Sequence, residues 1–501
     1  MIRYLAMSLA GVLWLGGSGV SFSQEPSRPT SPPTATAIKI AEYYRPIPID
    51  CTELSLNPPG TMTDAGLHKL AVLKNLTKLD LGGTSVTDAG LKELAALENL
   101  TSLNLSYTKV TGAGLKELAA LKNLASLRMW GVTGVTGTGL KGLAGLESLT
   151  TLDLFDSGVT DEGLKGLAEL KSLTSLDLRN TPVTGAGLRE LNELKNLTKI
   201  TLGGGRFTDA DLIELKGLKN ITTLDLHISS YSVTYAGVKE LKEIKNLTTL
   251  TLSGGVIQDG TFRAIKEIKN LTSLSLKYTG VSDAWLKELT ALKSLKTITI
   301  TDQRQSRLTG AGLKELAALE NLTTLDLSDL MLTDATLSGL KDIKTLTTLA
   351  LYRTAVTDAG LKELKDIKTL TSLDISATAV TNAGLRELRG LENLTTLNLC
   401  DTRIQGGELR ELQGLKKLST LHLSIPGSFI GLRDLKSLTT LHLEGSGVTD
   451  ATLRELRGYK NLALITLTFT EVTGTGMANL RRALPNCKIE KRSRYYFGDQ
   501  R

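Results

Sequence analysis

The sequence predicts an α/β solenoid, in which a short strand-and-helix unit recurs along the chain and the strands form one parallel sheet. Three observations support this prediction. A 24-residue pattern recurs over residues 51–485 of the 501-residue chain. Leucine accounts for 98 residues, whereas aromatic residues make up only 4%, and a large globular core normally contains more rings. Within each unit, the spacing of the leucines changes from that of a strand to that of a helix.

The repeat is visible by eye, since residues 76–99 read LTKLDLGGTSVTDAGLKELAALEN and residues 100–123 read LTSLNLSYTKVTGAGLKELAALKN. We call the first residue of each L-x-x-L-x-L motif n. The motif predicts 18 repeats, most of them 24 residues long. They begin at residues 51, 76, 100, 124, 149, 173, 197, 221, 247, 271, 295, 322, 346, 370, 394, 418, 438 and 462.

Each unit contains the signals of one strand and one helix. Leu79 and Leu81 alternate as in a strand with one buried face. Thr87 and Asp88 are typical helix-starting residues, and an apolar residue then follows at every third position, at Leu91, Leu94 and Leu97. One unit cannot bury its leucines alone, but stacked units can. Because helices are wider than strands, we expect the stack to curve with the sheet on the inner side.

These motifs resemble the leucine-rich repeat family over residues 51–489. The V-T-D-A-G-L segments are similar to those of the cysteine-containing and ribonuclease-inhibitor-like branches and of exported bacterial repeat proteins. The resemblance implies a curved horseshoe with a parallel sheet on the concave face and short helices on the convex face. One departure concerns n+8, where the family often has Asn or Cys. Here that position is usually Thr or Ser, at Thr84, Thr108, Ser157, Thr181, Thr279, Thr354, Thr378 and Thr402.

The ends of the chain predict further segments. Residues 1–23 have the short positive start and apolar run of a signal peptide, which predicts export to the periplasm, the cell surface or the medium. Residues 24–37 form a linker rich in Pro, Ser and Thr. Residues 38–50 are predicted to be an N-terminal cap, 51–485 the repeats, and 486–501 a C-terminal cap strand and tail. The sequence has no second long apolar run, so we expect no membrane insertion after leader cleavage.

The sequence favours a protein without catalytic activity. It has no phosphate-binding glycine loop, HExxH, paired CxxC or GxSxG motif, and it contains only four histidines. Cys51, Cys400 and Cys487 lie many repeats apart, so we expect neither an intrachain disulfide nor a cysteine metal site. We therefore expect no enzyme, no cofactor and no metal. A net charge of +7 over 501 residues is too weak to indicate a nucleic-acid partner.

The strongest binding-site prediction is a group of aromatic and charged residues in neighbouring repeats. On a sheet face formed by n+2, n+4 and n+6, Trp130 and Phe155 occupy n+6 of adjacent repeats, and Tyr107 lies at the rim. Aromatic residues and arginine dominate binding hot spots. The predicted partner-binding residues are Tyr107, Arg128, Trp130, Asp153, Phe155, Asp177 and Arg179.

Three other patterns are open to both structural and functional interpretations. An acidic stripe at n+4 either solubilises the face or attracts a basic partner; it comprises Asp80, Asp153, Asp177, Asp225, Asp326 and Asp374. His422 and His442 share n+4, but two ligands are too few for a secure metal site. Glycosylation-type tripeptides recur because Asn precedes the first leucine of the repeat, at Asn75, Asn99, Asn196, Asn246, Asn270, Asn321 and Asn393.

The favoured interpretation is an exported, monomeric scaffold that binds a protein through its concave sheet face. One alternative is a cell-envelope adhesin or carbohydrate-binding module that stacks glycans on Tyr107, Trp130 and Phe155. Another is the substrate-recognition subunit of a ubiquitin-ligase-like complex, suggested only by the V-T-D-A-G-L resemblance. The apolar leader argues against this last alternative.

Overall fold

The computed structural model describes residues 37–38, 47–56, 62–205, 207–228, 233–255, 257–302, 307–424, 431–432 and 435–492. Its main element is one parallel sheet of 19 strands in the order of the sequence, with short helices between them, which confirms the predicted α/β solenoid. Among the described residues, the first strand pairs only with the second and the last only with the one before it, so the sheet is open. The predicted signal peptide 1–23, residues 24–36 of the linker and the tail 493–501 lie outside the described residues.

Two short strands precede the sheet and pair antiparallel with each other, β1 (Ala37–Ile38) and β2 (Ile47–Pro48). In the sheet, β3–β20 each begin at n+2 of a repeat. The strands of the sheet are β3 Glu53–Ser55, β4 Lys78–Asp80, β5 Ser102–Asn104, β6 Ser126–Arg128, β7 Thr151–Asp153, β8 Ser175–Asp177, β9 Lys199–Gly203, β10 Thr223–His227, β11 Thr249–Ser253, β12 Ser273–Lys277, β13 Thr297–Thr301, β14 Thr324–Asp326, β15 Thr348–Ala350, β16 Ser372–Asp374, β17 Thr396–Asn398, β18 Thr420–Leu423, β19 Thr440–Glu444, β20 Leu464–Thr468 and β21 Lys488–Arg492.

The core is a continuous stack of aliphatic side chains behind the sheet. At n+3, Leu79 pairs in register with Leu103, and Leu103 with Leu127, and all three are at most 2% exposed. The residues at n+2 and n+4 on either side of them point to the opposite face because side chains alternate along a strand. Every repeat therefore presents its polar strand positions on one solvent-facing surface, which we call the sheet face.

The helical segments differ from a regular α-helix in a way that the leucine spacing explains. In the repeat that begins at Leu76, one α-helical turn, α2 (Asp88–Leu91), continues as a 3₁₀ helix, Lys92–Ala96. A 3₁₀ helix has three residues per turn, so residues three apart lie on one side. This winding places Leu91, Leu94 and Leu97 together against the core, where each is at most 1% exposed.

The remaining helices follow the same plan, with a short α-helix that in most repeats leads into a 3₁₀ helix. The α-helices are α1 Asp64–Leu67, α3 Asp161–Lys165, α4 Gly185–Leu188, α5 Asp209–Glu214, α6 Tyr235–Glu240, α7 Asp259–Ile265, α8 Asp283–Leu289, α9 Gly310–Glu315, α10 Asp334–Leu337, α11 Asp358–Leu364, α12 Asn382–Leu385, α13 Asp450–Glu455 and α14 Gly474–Ala483. The other 3₁₀ helices are His68–Val72, Leu115–Ala120, Gly137–Gly145, Gly166–Glu169, Arg189–Glu193, Leu215–Gly217, Leu241–Glu243, Leu316–Ala318, Ser338–Asp342, Arg386–Gly390, Gly406–Gly414 and Leu456–Gly458.

The Thr-Asp pair of the motif joins each helix start to the next. The backbone N–H of Thr87 donates to Asp64 Oδ1 of the preceding repeat at 2.8 Å, and its hydroxyl donates to Asp64 Oδ2 at 2.6 Å. The carboxylate thus satisfies two donors in the next repeat. The same pair of bonds joins Asp88 to Thr111, Asp161 to Thr184, Asp209 to Thr234, Asp283 to Thr309, Asp334 to Thr357, Asp358 to Thr381 and Asp450 to Thr473.

The glycine of V-T-D-A-G-L leaves room for that carboxylate. A Cβ atom on Gly384 would lie 2.4 Å from Asp358 Oδ1, and one on Gly90 would lie 2.3 Å from Asp64 Oδ1. Real Cβ atoms do not approach an oxygen so closely. The Asp and the Gly of the motif are therefore complementary across the boundary between two repeats.

In many repeats an asparagine stands before the first leucine, and its side chain bonds to the preceding repeat. Asn99 Nδ2 donates to the carbonyl oxygen of Lys74 at 2.8 Å, and Asn393 Nδ2 donates to that of Lys368 at 2.9 Å. Asn196, Asn246, Asn270 and Asn321 make the equivalent bond. The glycosylation-type tripeptides at these positions therefore arise from a structural residue of the repeat.

Six of the threonine hydroxyls at n+8 bond within their own turn, those of Thr84, Thr108, Thr181, Thr354, Thr378 and Thr402. Among the described residues, the buried hydroxyls of Ser157, Thr279 and Thr470 at the same position have no hydrogen-bond partner. Thr84 Oγ1 donates to the carbonyl oxygen of Leu81 at 2.6 Å, and Thr354 Oγ1 donates to that of Leu351 at 2.7 Å. At these positions threonine therefore supports the turn directly after the strand.

The two ends of the solenoid carry further structure. At the start, Ile47 of β2 is 2% exposed and belongs to the core. At the other end, α14 buries Leu480, and β21 adds a last strand beside β20. Cys51, Cys400 and Cys487 are all free thiols.

Candidate functional site

The predicted partner-binding residues lie together on the sheet face and at its rim. Leu127 and Met129 point into the core and are fully buried, whereas Arg128 and Trp130 alternate with them and are partly exposed. Strand β6 pairs with β7, which places Arg128 beside Asp153, and β7 pairs with β8, which places Asp153 beside Asp177. We call Tyr107, Arg128, Trp130, Asp153, Phe155, Asp177 and Arg179 the aromatic–arginine cluster.

Two rings and two guanidinium groups form the centre of this cluster. The centroids of Trp130 and Phe155 lie 5.9 Å apart, with the ring planes at 77°, so the edge of one ring meets the face of the other. The Cζ atom of Arg128 lies 4.8 Å from the Trp130 centroid, and that of Arg179 lies 5.1 Å from the Phe155 centroid. Both contacts are within the range of cation–π attraction.

Carboxylates hold the two arginines in place. Arg179 Nε donates to both oxygens of Asp177, at 3.0 and 2.9 Å, and its Nη2 bonds to Oδ2 as well. Arg128 Nε lies 3.8 Å from Asp153 Oδ2, a looser ion pair. Burial raises the pKa of Asp153; Trp130 opposes this effect and the nearby Asp177 carboxylate adds to it.

Tyr107 adds an exposed ring at the rim. Its backbone has φ of 56°, in the left-handed region, and its side chain is 58% exposed. The ring lies on the backbone of Gly131, where a Cβ atom would come within 2.4 Å of Tyr107 Cε1. Other repeats place glycine at this n+7 position, for example Gly83 with φ of 71°. A bulky residue in this conformation costs about 1 kcal/mol relative to glycine.

The structure extends the cluster to residues that the sequence analysis did not include as binding residues. Arg179 Nη1 lies 3.1 Å from His227 Nε2, across Gly203, which has no side chain to separate them. Because arginine is always a donor, His227 Nε2 accepts this bond. Burial and Arg179 together lower the pKa of His227, while Asp225 opposes the shift. His227 and Arg179 both occupy n+6, two repeats apart. This shared position is the feature of the sequence that could have indicated their contact.

Most of the acidic stripe has a structural role. The n+4 carboxylate accepts a hydrogen bond from the backbone N–H at n+6 of its own repeat, as Asp326 Oδ1 does from Ser328 at 2.9 Å. Asp80, Asp153, Asp177 and Asp374 make the same bond. Asp225 differs, since its Oδ1 is buried without a hydrogen-bond partner among the described residues, and burial raises its pKa.

The family model of the leucine-rich repeat matches residues 72–95, 96–119, 145–168 and 169–191. Each of these stretches contains one strand of the sheet, β4, β5, β7 and β8 respectively. The chain is a leucine-rich repeat protein. The matched stretches contain five of the seven residues of the aromatic–arginine cluster, and Arg128 and Trp130 lie outside them.

Solved structures that resemble this leucine-rich repeat protein include a leucine-rich repeat protein of Leptospira interrogans, at 22% identity over 85% of this chain and 97% of the other, with a TM-score of 0.40. An internalin of Listeria monocytogenes has 20% identity over 75% and 89% of the two chains and a TM-score of 0.33. A plant peptide hormone receptor has 15% identity over 89% and 83%, with a TM-score of 0.28. A search of curated proteins finds no match to the sequence. In the described part of the chain, no helix combines the length and apolarity needed to cross a membrane.

The leucine-rich repeat protein has a second polar cluster near the end of its sheet. The rings of His422 and His442 are stacked, with centroids 4.1 Å apart, and His442 Nδ1 lies 2.5 Å from Thr466 Oγ1. Cys400 and Glu444 occupy n+6 of nearby repeats, and the Glu444 carboxylate acts on the Cys400 thiol electrostatically. Within the described residues, no three His, Cys, Asp or Glu side chains are arranged to hold a metal ion.

Burial in this cluster lowers the pKa of His422 to about 4, with His442 adding to the shift and Asp374 opposing it. Burial also raises the pKa of Cys400 to about 12, with a contribution from Glu444. Burial raises the pKa of Glu444 itself. The imidazole of His422 is therefore neutral, and the Cys400 thiol is protonated, at neutral pH.

The His422 shift predicts a stability change on acidification. Between about pH 6.5 and 4 the unfolded chain binds a proton at His422 that the folded chain does not, so the free energy of unfolding falls as pH falls. We expect a loss of about 2 kcal/mol, since partial exposure screens some of the effect. Urea denaturation at pH 7 and pH 4.5 measures this loss, and His422→Gln should lack it. An equal loss in the variant would contradict the assignment.

Proposed function

We propose that the protein is an exported, non-enzymatic scaffold that binds a protein partner through the concave face of its sheet, with the aromatic–arginine cluster as the main contact. The observation that carries this proposal is the edge-to-face contact of two rings, each covered by a guanidinium group, on the solvent side of the sheet. Aromatic residues make up only 4% of the chain, so their grouping here is unusual for it. Trp, Tyr and Arg are the residue types that contribute most at binding hot spots.

The rigidity of the cluster supports the proposal. Asp177 holds Arg179 through both oxygens, and the cluster stands on strands of a sheet. A surface that is already ordered loses little conformational entropy when a partner binds. Tyr107 supports it as well, because it adds a third, largely exposed ring beside the other two.

A glycan-binding function is the second candidate, and the ring geometry favours it less. Stacking a sugar needs an open aromatic face. Arg128 lies over the Trp130 ring and Arg179 over the Phe155 ring, and the two rings are nearly perpendicular. Within the cluster, only Tyr107 has a largely exposed ring. A glycan array distinguishes this candidate from a protein-binding one.

Export belongs to the proposal on the strength of residues 1–23, which have the charge and apolar pattern of a leader. The mass of the mature N-terminus tests it. Cleavage near residue 23 supports export, whereas an uncleaved chain in the cytosol would favour the ubiquitin-ligase-like alternative.

We expect Trp130→Ala to weaken partner binding at least tenfold, because it removes the ring on which Arg128 stacks and which Phe155 contacts. The measurement is affinity, by surface plasmon resonance, for the protein captured by the wild-type chain from an extracytoplasmic fraction. Tyr278→Ala controls for the loss of an aromatic ring from the solvent-facing surface, since Tyr278 is 52% exposed and lies six repeats further on than Trp130. Circular dichroism should show both variants folded. Unchanged affinity of a Trp130→Ala, Phe155→Ala double variant would refute the proposal.

A further inference from the structure

A row of four polar side chains crosses the sheet face from the aromatic–arginine cluster to β10. Arg179 bonds to Asp177 at one end of the row, and its Nη1 atom lies 3.1 Å from His227 Nε2. The same nitrogen of His227 lies 3.9 Å from Asp225 Oδ1. One imidazole nitrogen therefore stands between a guanidinium group that belongs to the cluster and a carboxylate that does not.

The neutral ring of His227 holds the part of Arg179 that Asp177 does not bond. Asp177 accepts hydrogen bonds from Nε and Nη2 of the guanidinium group, and His227 accepts one from Nη1. Arginine has donors only, so this bond requires a lone pair on Nε2 and places the ring proton on Nδ1. Burial and Arg179 lower the pKa of His227, which keeps the ring neutral at neutral pH. Together the two acceptors fix the Cζ atom of Arg179 at 5.1 Å from the Phe155 centroid.

Asp225 offers a second position for the His227 ring. In several other repeats the n+4 aspartate accepts a hydrogen bond from the backbone N–H at n+6. Strand β10 instead runs through n+6 and pairs with β9 there, and Asp225 Oδ1 is buried without a hydrogen-bond partner among the described residues. Burial raises the pKa of Asp225, and a positive charge on His227 opposes this shift more than any other charge does. A protonated imidazole would supply the donor that this oxygen lacks.

We propose that His227 is a pH-dependent positioning residue of the binding surface: its neutral ring holds Arg179 in the aromatic–arginine cluster, and its protonated ring turns to Asp225 and weakens partner binding. This inference rests on the proposed function. The proton comes from solvent, which reaches His227 because its side chain is 40% exposed.

Protonation breaks the bond between His227 and Arg179 for a chemical reason. The protonated ring carries a hydrogen on both nitrogens, so Nε2 no longer accepts, and two positive charges then face each other across the 3.1 Å contact. A movement of about 1 Å brings the Nε2–H group within hydrogen-bonding distance of Asp225 Oδ1. Arg179 keeps its bonds to Asp177 but loses its third anchor. A surface that is less ordered loses more conformational entropy when a partner binds.

The other charged groups around His227 lie on strands to both sides of β10. Among the described residues, Arg179 and Lys277 oppose its protonation, whereas Asp225 and Asp177 favour it. Lys199 of β9 acts on Asp225 as well, and β11 presents only Thr and Ser on the sheet face. Histidine is the residue type that normally changes charge between about pH 5 and 8, so we assign a binding change in this range to His227.

The bond itself is tested by two-bond ¹H–¹⁵N spectra of the full chain labelled with ¹⁵N-histidine, in which His227→Gln identifies the His227 signal. We expect the Nδ1–H tautomer at neutral pH and a pKa below the usual value of about 6.5. Arg179→Met should raise the pKa of His227 because it removes the facing cation, and Asp225→Asn should lower it because it removes the counter-charge. An Nε2–H tautomer at neutral pH, or a pKa that neither variant moves, would overturn the inference.

The effect on binding is measured by surface plasmon resonance with the same captured protein that is used for Trp130→Ala. Between about pH 7.5 and 5 we expect the affinity to fall about fivefold, with a midpoint at the pKa of His227 found by NMR. His227→Gln should show no such fall, because the glutamine oxygen accepts from Arg179 but does not titrate. His68→Gln is the matched control and should keep the wild-type pH dependence, since His68 is 79% exposed and begins a 3₁₀ helix away from the sheet face.

The outcomes separate this inference from the proposed function. A wild-type affinity that stays constant over this pH range, or a fall that His227→Gln retains, rejects the role of His227. If Trp130→Ala weakens binding and the pH dependence is absent, the proposed function stands and only the role of His227 is rejected. If the Trp130→Ala, Phe155→Ala double variant binds normally, the proposed function fails, and the effect of His227 on binding fails with it.

Discussion

We expect Gly384→Ala to lower the free energy of unfolding by about 2 kcal/mol, a large effect for a single added methyl group. The new Cβ would lie 2.4 Å from Asp358 Oδ1 and 3.1 Å from Leu361 Cδ1. The carboxylate cannot move aside without breaking its bonds to the backbone N–H and hydroxyl of Thr381, which measure 2.7 and 2.6 Å. Urea denaturation measures the change.

A double-mutant cycle tests the reason for this effect. Asp358→Ala alone should cost about 2 kcal/mol, because Thr381 loses a charged acceptor for two donors. In the Asp358→Ala background the methyl group added by Gly384→Ala has space, so we expect the second change to cost less than about 0.5 kcal/mol. Gly458→Ala controls for the change of glycine itself, since its Cβ would contact nothing. Additive costs in the cycle would show that the Asp–Gly contact is not the cause.

The second large effect is expected from a cavity in the middle of the core. Leu325 lies at the centre of β14, is fully buried, and pairs with Ile298 and Leu349 in the neighbouring strands. Leu325→Ala should lower the free energy of unfolding by about 3 kcal/mol. Thr324→Ala, on the sheet face of the same strand, should change it by less than about 1 kcal/mol. Urea denaturation compares the two variants.

The solenoid architecture adds a spatial prediction for Leu325→Ala. Each repeat packs its core mainly against its two neighbours, so local stability depends on adjacent units. Amide hydrogen exchange should accelerate most in β13, β14 and β15, whereas β4 and β5 should keep their wild-type protection. Uniform acceleration across the chain would indicate a single cooperative unit and contradict the prediction.

The candidate site was only partly predictable from the sequence. Trp130 and Phe155 were found because both are rare rings at n+6 of adjacent repeats, and strand register alone then makes them neighbours. The contact of Arg179 with His227 was missed, because it crosses an intervening repeat whose Gly203 carries no side chain. The role of the acidic stripe could be assigned only from hydrogen-bond geometry. The sequence alone does not distinguish a carboxylate that accepts a bond from its own loop from one that is free to bind a partner.

By itself, the sequence determined the repeat, its register and the buried face. In each repeat the leucines are two residues apart in the strand and three apart in the helix, and only one pattern of burial fits both spacings. Because the pattern occurs in eighteen repeats, an irregular residue in one of them does not change the assignment. Only the tertiary structure decided why the motif contains Thr, Asp and Gly together, because their contact joins residues of successive repeats that are more than twenty positions apart. The same holds for the binding surface: which side chains stack, pair or remain unsatisfied depends on distances between repeats, and a periodic sequence does not encode those distances at any single position.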